Sequence, residues 1–170
     1  MRFLIFGLVF STALWAKPLP SAPQVDVARY VGKWYAHLSL PQFFTRNCRA
    51  QTADYAVLSA TKISVLNTCL KRRGETTISG RAVVTNPGVN SRLVVTFDNL
   101  FTRLFRVKGD YTIIKLDPDY EYVLVGSADR KSLWFMSRSE VAPLEAVREE
   151  YLAYARELGF ETRRLVESQF

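Results

Sequence analysis

The stretch Tyr30-Val31-Gly32-Lys33-Trp34-Tyr35-Ala36-His37-Leu38-Ser39 decides the fold. From Trp34 onward it alternates as a strand does. Trp34, Ala36 and Leu38 share one face, and Tyr35 and His37 share the other. Gly32 weakens a strand, and a large indole follows two residues later. Why the two stand together is answered only by the rest of the chain.

Upstream, Arg2 precedes an apolar run over residues 3–14, with small residues at Ser11, Ala13 and Ala16. This is the pattern of a secretory signal, and it is too short to span a bilayer. We assign residues 1–16 to the signal, with cleavage after Ala13 or Ala16. The proline-rich residues 17–26 form an extended leader, and residues 27–170 one domain. No cysteine stands near the cut to carry a lipid anchor, so the expected location is secreted or periplasmic. In such an oxidising compartment Cys48 and Cys69 are expected to pair. The net charge of +7 suits a solubilising surface, and leaves a peripheral membrane contact open. Nucleic acid is not expected as a partner, because Lys71-Arg72-Arg73 is the one basic cluster.

Downstream, short alternating runs recur between turn signals. They cover residues 34–38, 52–57, 62–69, 77–85, 92–97, 110–116, 120–125 and 132–138. Asn86-Pro87-Gly88 and Asp117-Pro118-Asp119 mark two of the turns. The period then changes. Leu144, Val147, Tyr151, Tyr154 and Leu158 step by three and four, as one face of a helix does. Residues 162–166 read as a short closing strand. Eight short antiparallel strands in a chain of this size predict an all-β, up-and-down barrel, since closure removes the edges an open sheet must defend, with a two-sheet sandwich as the other arrangement the pattern allows. The single C-terminal helix would pack outside it.

At this point Gly32-Lys33-Trp34-Tyr35 resembles the Gly-x-Trp signature of the lipocalins. Asp117-Pro118-Asp119-Tyr120-Glu121-Tyr122 falls at that family's turn between strands six and seven, without its Thr-Asp-Tyr. Leu133-Trp134-Phe135-Met136-Ser137-Arg138 is similar to its last barrel strand, and the helix follows. Thr52-Ala53-Asp54-Tyr55 and Val65-Leu66-Asn67 point to the bacterial lipocalin and apolipoprotein D branch. The likeness covers residues 27–166. It implies that Trp34 plugs the closed end of the barrel with Arg138 lying over its ring, a cation–π contact worth roughly 1–2 kcal/mol when shielded.

Alternation then names a lining. With Trp34 pointing in, Ala36 and Leu38 follow; with Arg138 above it, so do Met136 and Trp134. The second and third strands offer Ala53 and Tyr55, and Ile63, Val65 and Asn67. The family register adds Ala82 and Val84, Val95 and Phe97, Thr112 and Ile114, and Val123 and Val125. Such a wall suits a small hydrophobe or lipid, a fatty acid or lysophospholipid, held for transport or storage. The mouth would be ringed by Phe43, Phe44, Leu100, Phe101, Leu104 and Phe105, with Arg103, Arg106 and Lys108 nearby.

No catalytic residue, metal site or cofactor is expected. The lone histidine, His37, faces outward, and zinc sets need more than one ligand of this kind. Three alternatives stay open: an isomerase-type enzyme on this fold, which needs a free thiol; a haem or tetrapyrrole carrier, with Tyr55 as the axial ligand of a haem; and a surface-interaction protein whose barrel is filled. The sequence does not set the oligomeric state.

Overall fold

The computed structural model describes residues 18–98 and 108–170. The signal and Lys17 lie outside them, as do Leu100, Phe101, Arg103, Leu104, Phe105 and Arg106. Among the described residues, β1 (Gly32–Ser39), β2 (Ala50–Ser59), β3 (Lys62–Leu70), β4 (Glu75–Val84), β5 (Arg92–Phe97), β6 (Lys108–Leu116), β7 (Tyr122–Gly126) and β8 (Leu133–Ser137) follow one another. Each pairs antiparallel with the next. β1 pairs with both β8 and β2, and this closes the barrel. The short β9 (Val166–Glu167) pairs with Leu38 and Ser39.

The closing strand is shorter than its sequence suggests. Thr162–Arg164 is a 3-10 turn, and pairing is confined to Val166–Glu167. The reason is the edge available. β2 occupies β1 from Gly32 to Ala36, so only the end of β1 is free to take a further strand.

Two apolar clusters sit on opposite faces of the sheet. The inner one gathers Trp34, Ala36, Tyr55, Val65, Val84, Val95, Val125 and Met136, among others. The outer one joins Leu38, Ile114, Leu124, Leu133 and Phe135 to the helix α2 (Glu145–Glu157) and to Phe160. The helix buries Tyr151, Leu152 and Ala155 there. Leu144, expected on its apolar face, is instead the N-cap residue and is 76% exposed.

Two irregularities in pairing shift the predicted lining. β1 slips its register against β8 between Ala36 and Leu38. One extra residue reverses alternation beyond it, so Leu38 turns to the helix side and Ser39 pairs with Trp134. β6 slips against β7 between Ile113 and Lys115. Leu116 packs on the inner cluster, but past this slip the inner residues are Ile113 and Tyr111. Thr112 is therefore buried on the opposite face, and Ile114 packs in the helix cluster. Leu38, Thr112 and Ile114 are corrected accordingly: none of them lines the barrel.

The leader is not loose. Leu19, Ala22 and Val25 are buried, and the amides of Ala22 and Val25 donate to the carbonyls of Ile113 and Val89 at 2.8 Å. Asp26 then caps α1 (Val27–Tyr30), its carboxylate accepting from the Ala28 amide. This short turn carries Tyr30 under the barrel.

Candidate functional site

The floor is built from the opening stretch. Gly32 adopts φ +97°, a region that side-chain-bearing residues avoid, and a Cβ there would stand 3.4 Å from Arg138 Nη1. Beyond that turn Trp34 is fully buried, and its Nε1 donates to the Tyr30 carbonyl at 2.9 Å. The Arg138 guanidinium lies 3.8 Å from the centre of the indole ring. It donates to the carbonyls of Lys33 (3.0 Å), Arg29 (2.7 Å), Tyr30 (3.0 Å) and Tyr120 (3.3 Å). Burial lowers its pKa from the usual guanidinium value. One side chain thus ties β8, the β6–β7 turn, α1 and β1 together beneath the barrel. Tyr120 adds to the clamp: its hydroxyl accepts from the Asp26 amide, and the Arg29 guanidinium lies over its ring.

Beside the indole, 5.4 Å away between ring centres, Tyr30 joins two further tyrosines. Tyr111 places its hydroxyl 2.6 Å from that of Tyr30 and 3.2 Å from that of Tyr55. Tyr30 stacks on Tyr55 at 5.9 Å between ring centres. Burial pushes all three phenols up, Tyr55 to about 12. Sequence reasoning named Tyr55 alone. Tyr30 was legible from Asp26, a capping residue one position before a turn of helix; Tyr111 was hidden by the β6 slip.

These phenols make stability fall at high pH. An unfolded tyrosine ionises near pH 10. The folded groups keep their protons further up, to about 12 for Tyr55. Between these values the unfolded chain binds fewer protons, so the stability present below pH 10 is lost as pH rises through about 12. Urea midpoints measured across that span should drop steadily. Tyr111→Phe should cost about 1–3 kcal/mol at neutral pH, because it removes the shared partner of two buried hydroxyls.

The wall above is apolar. Of the predicted lining residues, Ala36, Tyr55, Val65, Ala82, Val84, Val95, Val125 and Met136 belong to the buried inner cluster, and Phe97 and Trp134 pack against it. Asn67 is half-buried, opposite Ala53 and Ile78. Leu93, Ile113 and Tyr111 join them unpredicted. Near the rim Gln51 donates to the Ser39 hydroxyl at 3.0 Å.

The mouth lies at the other end, where β1 runs into β2 and β3 into β4. Cys48 and Cys69 form a disulfide there, with Cα atoms 5.1 Å apart. The pairing of β2 with β3 is regular from Ala50 to Val57, and Cys48 sits in a turn before it, its amide donating to the Thr45 carbonyl. Beside the bond, Arg46, Asn47, Lys71, Arg72 and Arg73 line a groove of about 600 Å³.

His37 sits outside the barrel. Its Nε2 lies 2.8 Å from Ser137 Oγ and 3.0 Å from the Ser139 carbonyl, its ring meets Phe170, and burial lowers its pKa. Among the described residues no group of three or more His, Cys, Asp or Glu is placed to hold a metal ion.

Comparison with known proteins agrees with this geometry. Residues 25–169 match the model of the lipocalin-like domain. The chain is 30% identical to the outer membrane lipoprotein Blc of Vibrio cholerae, over 96% of this chain and 95% of that protein. It is 32% identical to Blc of Escherichia coli, over 83% of this chain and 77% of that one. The structure of insecticyanin from the tobacco hornworm Manduca sexta superposes with a TM-score of 0.71 at 16% identity, covering 92% of this chain and 86% of insecticyanin. A closed eight-stranded barrel, a floor of indole and guanidinium, and a family match over most of the chain lead to one assignment: the protein belongs to the lipocalin family, with the bacterial Blc lipoproteins among its relatives.

Proposed function

We propose that the protein binds a small hydrophobic ligand within the barrel, a lipid with an acyl chain such as a fatty acid or lysophospholipid, and carries or stores it outside the cytosol. The observation that carries this reading is the inner face itself. It is a continuous apolar lining above a sealed floor, with few hydrogen-bonding groups along it. Each methylene taken from water contributes about 0.8 kcal/mol, so a chain of roughly ten supplies about 8 kcal/mol before entropy losses. Family membership supports the same class of ligand.

The isomerase and haem alternatives have less support. An isomerase-type reaction needs a free thiol, and both cysteines are in the disulfide. A haem needs an axial ligand. His37 lies outside the barrel, and the Tyr55 hydroxyl is engaged by Tyr111.

Native mass spectrometry of the purified protein tests the proposal, with an added mass matching one acyl lipid as the expected result. Titration with a fluorescent polyene fatty acid supplies the second readout. Trp134→Ala removes a large inward ring near the rim and should weaken binding at least about tenfold. A protein that retains no lipid, and a variant that titrates like the parent, would together reject it.

A further inference from the structure

We propose that the rim around the disulfide docks on an anionic phospholipid bilayer. Three observations meet there. The first is charge. Arg46, Arg49, Lys71, Arg72 and Arg73 lie on the two loops that Cys48 and Cys69 tie together, and among the described residues none of the five pairs with a carboxylate. Like charges held close without counterions repel one another, so an opposing surface is the arrangement that satisfies them.

The second is the pair of aromatics on the same loop. Phe43 and Phe44 are 77% and 59% exposed on the 3-10 turn directly before Arg46. They meet edge to face at 5.2 Å rather than folding into the barrel. Adjacent exposed rings beside cations form the pairing that seats at a headgroup boundary, rings below and charges at the phosphates.

The third is that the patch is fastened rather than free. The Arg49 amide donates to the Leu70 carbonyl, and the Gln169 amide donates to the Arg49 carbonyl. The Gln42 side chain donates to the Lys131 carbonyl, so the Phe43–Thr45 turn is also tied to the β7–β8 loop. A bilayer suits this surface better than a protein. The groove is walled by cations and Asn47 beside the disulfide, a lining that suits phosphate headgroups. Docking by this rim turns the barrel mouth to the membrane.

Co-sedimentation with vesicles tests the proposal on the purified exported protein. Vesicles of phosphatidylcholine with about 30% phosphatidylglycerol should bind it, and phosphatidylcholine alone should not. Each cation removed should weaken binding about fivefold, so Arg72→Gln with Arg73→Gln should lose roughly 25-fold. Phe43→Ser with Phe44→Ser, two exposed positions outside both clusters, should also weaken it. Trp134→Ala should leave vesicle binding unchanged, which separates this surface from the lipid site inside the barrel. Equal binding to both vesicle types, no effect of the arginine changes, or release by inorganic phosphate at constant ionic strength would overturn it.

Discussion

Trp34→Ala should cost about 3–5 kcal/mol of folding stability, the largest effect of any single change in the barrel. The indole is fully buried, so truncation leaves a cavity at the point where β1, α1, β8 and the β6–β7 turn converge. It also takes away one of the two side-chain donors to the Tyr30 carbonyl, leaving Arg138 Nη2, and it removes the face on which the guanidinium of Arg138 lies. A native protein holds only about 5–15 kcal/mol in all, so the variant should be marginal. Urea denaturation followed by far-ultraviolet circular dichroism reads the loss directly. A double-mutant cycle with Arg138→Met isolates the ring–cation contact, because methionine removes the charge while keeping a stem of similar length. Coupling of about 1–2 kcal/mol is the expected result for a shielded pair. Coupling near zero would mean that Arg138 acts through its hydrogen bonds alone.

Reduction of the Cys48–Cys69 bond should lower stability by roughly 3 kcal/mol, because the bond closes a loop of some twenty residues in the unfolded chain. For a domain of this size that corresponds to a fall in Tm of about 6–12 °C. Cys48→Ser with Cys69→Ser should match the reduced protein. The hairpin of β2 and β3 stays paired in the folded state, with regular register from Ile63 to Leu70 beside the bond, so the barrel should survive the loss with its strands intact. Thermal melts with and without reductant, read by circular dichroism, check both points. A melt that does not respond to reductant would show that the hairpin already restrains the unfolded chain.

How much of this was legible beforehand follows from what is local. The strands, their turns and the helix were carried by alternation and by residues such as Asn86-Pro87-Gly88, which act within a few positions. The floor was legible because Gly32 and Trp34 state a turn and an indole side by side. The lining failed at Leu38, Thr112 and Ile114 for one physical reason. A bulge is decided by the hydrogen bonds of the neighbouring strand, and nothing in Ala36-His37-Leu38 or Ile113-Ile114-Lys115 marks the extra residue. The apolar character of both faces of β6 removed the remaining cue, since Ile113 and Ile114 are equally acceptable inside. The burial of the leader was not legible, because it depends on carbonyls of Val89 and Ile113, far away in the chain.

The clamp beneath Trp34 has a kinetic consequence. A vessel shut at one end has a single doorway, and an arriving molecule cannot push out the resident from behind. Turnover in excess competitor should therefore run at one fixed rate, set by departure alone and indifferent to how much replacement waits outside.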